Sequence, residues 1–416
     1  MFNKINIYSW INILSKLLTP LFVLPLLMAK FKAGDLELWF LVLNIMSLTV
    51  VFDFGYISLQ NRLYAYCMKS YHPSYQRFIN SNFNTLFLVI SVFWLAGLML
   101  INFIFLKGEI PFYLPFSIVA YFLLMVIQNI LFSYGKIVIS KNTETIFNII
   151  KVVLLFTLVK MSTTITTIIS YFYNVNYLGL LIFIIVLKVK IPDYKIKIAF
   201  SFKFFKKYFS AAASAWIATF LSNGLFYISS IYLVERYNKY DWSSYLFTFR
   251  VIEMLIIIGF VPFYSRIPLF VNQFKVGDHQ VLKTQLWKNI TFSATMYVGI
   301  SLVIFFVGQV LLKMIKSHSN FIGMGNFLIL LAGLLAHKLG ACFLQISAFN
   351  NKVKWHIAHL YQTLVLFVIY FIMIYLQIED KSLLFILPFL ISALFVYLPY
   401  SIFIANREFP LIFKFK

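Results

Sequence analysis

The sequence predicts an all-α polytopic integral membrane protein of about 12 transmembrane helices in two six-helix lobes, with both termini cytoplasmic. Three observations predict it. Hydrophobic residues make up 62% of the 416 and charged residues only 12%, which leaves more apolar surface than an aqueous core can bury. The apolar residues come in continuous runs of about 20, the length that crosses a bilayer core at 1.5 Å per residue. The Lys and Arg residues collect in alternate loops, as the retention of basic residues on the cytoplasmic side requires. A transmembrane β-barrel would instead show alternating segments of about ten residues.

Taken in order, the runs span 7–29, 36–59, 83–106, 112–134, 145–159 and 165–187, then 209–234, 243–270, 286–312, 324–349, 357–378 and 383–405. The first is too long for a signal-peptide core and is followed at once by more spans, so it reads as a retained helix. Loops on the side of the N-terminus carry the basic clusters: Arg62, Lys69 and Arg77; Lys136 and Lys141; seven lysines from Lys188 to Lys207; Arg266, Lys275, Lys283 and Lys288. That side holds more than twice as many Lys and Arg as the other. The net charge of +22 is therefore a topology signal and an attraction to anionic phospholipids, and no nucleic-acid partner is expected.

The segment 188–208 falls halfway along the chain and alternates Lys with Ile and Phe, which suits a strip lying along the cytoplasmic interface. It divides an N-terminal lobe, 1–187, from a C-terminal lobe with a short tail, 209–416, the two-half layout of many transporters. The two cysteines, Cys67 and Cys342, read as free thiols. No loop exceeds about 22 residues by these limits, and none holds a phosphate-binding, dinucleotide-binding or zinc-hydrolase motif. The outer loops are too short for the extended catalytic loop of a membrane glycosyltransferase. No catalytic residue, resident cofactor or metal site is expected, and the chain reads as a transporter and not an enzyme.

Function is then legible in the ionisable residues inside the runs. Each costs at least about 2.5 kcal/mol to insert unless it meets a partner or a wet cavity. Six qualify: Lys16, Asp53, Lys151, Arg250, Glu253 and Lys338. Lys338 is the deepest, about 21 Å from the start of its run, with His337 beside it and no acid on the same helix. Lys16 precedes Pro20 and Pro25, which free backbone carbonyls near mid-depth. Arg250 and Glu253 stand one turn apart, so a local ion pair competes with a cavity role. Asp53 reads equally as a relay or as a partner of Arg62 or Lys16. Lys151 lies in the shortest run, where bundle packing could hold it. His356 and His359 read as interfacial rather than as a metal pair. Cations outnumber acids four to two, which favours an anionic cargo such as a phosphate on a lipid tail.

Two stretches carry a family resemblance. The first hairpin, ILSKLLTPLFVLPLLMAKFKAGDLELWFLVLNIMSLTVVFDFGYISLQNRL, has a short Gly-containing outer turn and a helix ending in Asp53-x-Gly55. The eighth run, SYLFTFRVIEMLIIIGFVPFYSRIP, has Tyr245 at its start, Arg250 within it and Pro262 near its cytoplasmic end. Both resemble the Wzx-like polysaccharide repeat-unit flippases of O-antigen, lipopolysaccharide and capsule biosynthesis, within the multidrug/oligosaccharidyl-lipid/polysaccharide (MOP) superfamily. That resemblance implies a MATE/MOP-like fold in a bacterial inner membrane. It implies translocation of an undecaprenyl-diphosphate-linked oligosaccharide to the outer leaflet, by alternating access through a cationic central cavity. Carried over, Lys16, Arg250 and Lys338 contact the cargo, and Asp53 or Glu253 couples to H+ or Na+. Lys151, Arg62 and His337 are secondary candidates, and a polysaccharide polymerase is an implied partner. Because most of these cations are Lys, phosphate would be met as a point charge rather than through a bidentate fork. A cation-coupled multidrug antiporter of the same superfamily, or a membrane polymerase or ligase, is the alternative reading.

Overall fold

The computed structural model describes residues 4–18, 23–57, 59–60, 63, 73–104, 111–161, 164–192, 194, 197–224, 239–264, 266–267, 270, 273–274, 277–314, 317, 320–347, 355–378 and 383–408. The described residues are helical or in turns and connecting segments, with no strand among them. They group into two compact units. Unit 1 comprises Met1–Val23 and Leu41–Ile228, and unit 2 comprises Leu24–Phe40 and Ser229–Lys416.

Unit 1 is built from α1 (Lys4–Leu18), the second half of α3 (Ala33–Leu48), α4 (Pro73–Ile104), α5 (Leu114–Ser133), α6 (Ile137–Met161), α7 (Ile165–Lys190) and α8 (Phe202–Thr219). The last of these runs on into a π-helical turn, Phe220–Gly224. Helix α1 packs along α6, and α5 packs against α7. Unit 2 holds α2 (Leu24–Lys30), the first half of α3, α9 (Lys239–Gly259), α10 (Val261–Tyr264), α11 (His279–Met314), α12 (Met324–Ser347), α13 (Trp355–Tyr375), α14 (Leu383–Ser392), a π-helical turn (Ala393–Tyr397) and α15 (Leu398–Glu408). Helix α12 is its axis, in contact with α9, α11, α14, the π turn and α15.

Seven helices among the described residues are long and apolar enough to cross a membrane: Arg77–Phe103, Leu114–Ser133, Ile165–Lys190, His279–Met314, Met324–Ile346, Trp355–Tyr375 and Leu383–Glu408. Their outer faces are apolar: Val92, Phe93, Phe103, Phe306, Val310 and Phe371 are all exposed, an arrangement suited to lipid rather than water. The other five sequence runs are interrupted or charged. The run 7–29 is divided between α1 and α2, with Pro25 in the first turn of α2, where a missing N–H costs nothing. The run 36–59 leaves its helix at Leu48 and enters turns. The run 145–159 lies within α6, which also carries Lys141, Glu144, Lys151 and Lys160. The run 209–234 passes through the π turn, and 243–270 breaks at Phe260 before Pro262.

The turn after Leu48 has a specific cause. Asp53 Oδ1 accepts the Gly55 N–H at 2.7 Å, an Asx-type turn that reverses the chain locally. Phe54 and Gly55 both take positive φ, 50° and 74°. A Cβ at Gly55 would stand 2.2 Å from the Ala212 carbonyl oxygen on α8, so only glycine fits this close approach.

The basic segment between α7 and α8 is fastened by polar side chains of α4. Thr85 Oγ1 donates to the Ala199 carbonyl at 2.8 Å and accepts the Ala199 N–H at 2.9 Å, and Asn82 Oδ1 accepts the Ser201 N–H at 2.7 Å. The Tyr194 hydroxyl donates to Asn84 Oδ1 at 2.6 Å. With the backbone satisfied this way, Ile198, Phe200 and Phe202 stand exposed among exposed Lys197, Lys203, Lys206 and Lys207. Ser201 then caps α8 by accepting the Phe204 N–H.

Candidate functional site

Each unit places one carboxylate among cations. In unit 1, Lys16 on α1 reaches across to α6, where its Nζ lies 2.7 Å from Glu144 Oε1; Lys141 Nζ lies 3.3 Å from Glu144 Oε2. Asn12 braces the pair of helices, donating to the Lys141 carbonyl at 3.3 Å and lying 3.5 Å from Lys141 Nζ through its Oδ1. Asn148 donates to Ser15 Oγ at 3.1 Å one turn further along. Lys141, Glu144, Asn148 and Lys151 recur at three- to four-residue steps and so share one face of α6. Glu144 was absent from the sequence-derived set because the predicted span began one residue later. Its signal was the Lys141–Glu144 spacing of i, i+3 at the edge of that span.

Lys151 is held more tightly than the sequence implied. Its Nζ donates to Asn176 Oδ1 at 2.6 Å and lies 4.7 Å from the Phe147 ring centroid, 5.4 Å from Phe172 and 5.5 Å from Tyr121. Three aromatic faces and an amide oxygen satisfy the ammonium inside the bundle. Asn176 is fully buried and donates onward to the Ser117 hydroxyl and carbonyl at 3.3 Å, and the Ser117 hydroxyl donates to the Tyr173 carbonyl. Lys151 thus sits within the packing of α5, α6 and α7. Asp53 is equally committed, to its own turn, and Lys16 finds its carboxylate in Glu144 instead. Arg62 lies outside the described residues.

Unit 2 gathers the other candidates around Glu253. Arg250 Nη1 lies 3.0 Å from Glu253 Oε2 on α9, the i, i+3 pair expected from the sequence, and the arginine side chain is only 10% exposed. Lys338 stands on α12, which packs against α9. Its Nζ stands 4.6 Å over the Tyr264 ring from α10. Thus two of the three predicted cargo contacts, Arg250 and Lys338, lie in unit 2 on helices that contact one another, while Lys16 pairs with Glu144 in unit 1. His337 points away from Lys338 into a second group with His359 and Tyr397. No group of three or more His, Cys, Asp or Glu residues fit to hold a metal occurs among the described residues.

The described residues form two all-helical units with ionisable residues in both. Among solved structures the fold is that of MATE transporters. The MATE multidrug transporter DinF-BH, solved as a complex, superposes with a TM-score of 0.66 over 99% of this chain and 95% of that one, at 12% identity. A crystal structure of a MATE mutant gives 0.67 over 98% and 95%, at 11% identity. An inward-facing multidrug resistance MATE transporter of the MOP superfamily gives 0.60 over 97% and 95%, at 9% identity. No protein-family model and no curated protein matches the sequence.

Proposed function

We propose that this protein is a flippase that carries an undecaprenyl-diphosphate-linked oligosaccharide from the cytoplasmic to the outer leaflet of a bacterial inner membrane. One observation carries the reading: basic side chains gather in both units, Lys16 and Lys141 on Glu144, and Arg250 on Glu253 with Lys338 on the neighbouring helix. Charge of one sign inside a membrane bundle is expensive unless it serves a ligand of the other sign. A diphosphate headgroup supplies that ligand, while its lipid tail stays in the bilayer.

The two carboxylates act in this scheme as resident anions. With the cargo absent they partly neutralise the cations; when a diphosphate arrives it competes with Glu144 and Glu253 for them, and the cations are released again on the far side. The exposed lysines and aromatics of residues 197–207 gather anionic phospholipid and cargo headgroups at the cytoplasmic surface before entry. A gradient of H+ or Na+ drives the return, with Glu253 as the acid placed to sense it.

A second reading, a cation-coupled multidrug antiporter, is favoured by the fold it shares with multidrug MATE transporters. The two readings divide on sign. Translocation of a fluorescent lipid-diphosphate oligosaccharide in proteoliposomes, beside efflux of a lipophilic cation, separates them. The flippase reading expects the first activity and its loss in Lys338→Glu; efflux of the cation with no lipid transfer would replace it with the antiporter.

A further inference from the structure

Unit 2 contains a buried group that neither ion cluster uses. Helix α12 contributes His337, α13 contributes His359, and the end of the π turn contributes Tyr397. The His337 and His359 ring centroids are 5.5 Å apart. Tyr397 lies against both: its ring stacks on His337 at 4.6 Å and 16° and meets His359 at 4.7 Å and 32°, and its hydroxyl lies 3.2 Å from His359 Nε2. Tyr397 is 1% exposed and His359 8%.

Two features of the backbone bring the tyrosine there. The π turn Ala393–Tyr397 inserts a wide turn into an otherwise α-helical run, a distortion that concentrates at functional sites. Opposite it on α12 is Gly340, where a Cβ would stand 2.6 Å from two Tyr397 ring carbons. Glycine at 340 thus lets the ring lie flat against the helix that carries His337.

We infer that His337, His359 and Tyr397 form a proton-binding site inside unit 2, taking up one proton shared between the two imidazoles. The chemistry follows from the Tyr397 hydroxyl on His359 Nε2. A phenol donates to a neutral imidazole nitrogen and accepts from a protonated one, so the Tyr397–His359 hydrogen bond persists in both states. A carboxylate partner would fix the imidazole in one charge state; the phenol leaves both open. Only one proton fits, because two imidazolium ions at this separation, with Lys338 next in sequence to one of them, would repel strongly.

The surrounding groups leave this pair as the site of uptake. His337 faces His359 at 5.5 Å between ring centroids and is next in sequence to Lys338. On α9, Arg250 and Glu253 pair with each other. Tyr264 of α10 packs under Lys338, and on α11 the Tyr297 hydroxyl donates to the Leu331 carbonyl at 3.4 Å. Tyr361 of α13 and Tyr400 of α15 pack on one another; Arg407 and Glu408 lie at the far end of α15, and α14 has no ionisable residue. A proton bound here adds a positive charge one residue from Lys338, on the helix that carries both groups. Proton uptake therefore strengthens the attraction of unit 2 for an anionic headgroup. That consequence rests on the flippase reading; the proton site does not.

The test is a histidine-selective NMR titration of the full-length protein in lipid nanodiscs, with His337→Asn and His359→Gln used to assign the two signals. In the unaltered protein both signals should move together in one coupled step. Replacing either histidine should shift the midpoint of the other by at least about one pH unit, the mark of interacting sites. Tyr397→Phe, which keeps the ring and removes the hydroxyl, should move the His359 midpoint while the fold is retained. The inference is overturned if the two signals titrate independently with unchanged midpoints, or if neither moves within about two units of the free imidazole value of about 6.5. Because the titration uses no cargo, its failure leaves the flippase reading untouched, and a failed transport assay leaves the proton site untouched.

Discussion

The two units solve one electrostatic problem in different ways. Unit 1 assembles its acid-and-bases cluster across two helices, with Lys16 on α1 reaching Glu144 on α6 and its side chain still 47% exposed. Unit 2 starts from a pair on a single helix, Arg250 and Glu253, with the arginine only 10% exposed, and adds Lys338 from α12. The first arrangement is open and adjustable, since a partly exposed lysine can exchange its carboxylate for solvent or an anion at small cost. The second is more enclosed on its arginine side, where losing the acid strands a buried guanidinium charge. Each unit also has a glycine at a close contact: Gly55 against the Ala212 carbonyl in unit 1, Gly340 against the Tyr397 ring in unit 2.

The largest effect expected from this contrast is at the glycines. Gly55→Ala combines a positive φ with a Cβ 2.2 Å from the Ala212 oxygen, and backbone cannot step aside, so a loss of about 3 kcal/mol or more is expected. Gly340→Ala meets side-chain atoms, the Tyr397 ring at 2.6 Å and Ser401 Oγ at 3.2 Å, which can shift, at a cost of about 1–3 kcal/mol. Fluorescence-detected size exclusion after heating should rank Gly55→Ala as the less stable; the reverse order would remove the contrast between the backbones.

Next come the acids. Glu253→Ala removes the carboxylate from a buried Arg250 and should cost about 3 kcal/mol, whereas Glu144→Ala takes it from two lysines of which one already meets the surface, at about 1 kcal/mol. Thermal midpoints of the two variants in one detergent measure the difference, and equal shifts would mean that the two clusters are equally enclosed.

The smallest effect is screening. A double-mutant cycle between Lys16 and Glu144 should lose most of its coupling between about 0.1 and 1 M salt, where the Debye length falls from about 10 to 3 Å. The Arg250–Glu253 cycle should keep most of its coupling. A salt-insensitive Lys16–Glu144 coupling would place that pair in a dry interior.

The same contrast explains what the sequence made legible. Helix runs, their helical character and the membrane setting follow from composition and period, which are local. So does the Arg250–Glu253 pair, written at i, i+3 on one helix. Partners that come from another helix leave no such trace. The aromatic cage of Lys151 draws on three helices, and Glu144 meets Lys16 from 128 positions away in the chain. Helix breaks at Leu48 and Phe260 were obscured because apolar residues continue through the turns. His337 was singled out only as a neighbour of Lys338, and its pairing with His359 and Tyr397 depends on a π turn that has no simple sequence signature.

The central claim, that the basic side chains gathered in the two units hold an anionic lipid-linked cargo, is tested most directly by lipid-diphosphate oligosaccharide translocation in proteoliposomes containing charge-reversed and charge-conserving variants. Lys16→Glu and Lys338→Glu should each reduce the initial rate at least about tenfold, while Lys338→Arg retains most of it, in proteins that insert and elute as the unaltered protein does. Wild-type rates in both charge-reversed variants would contradict the claim.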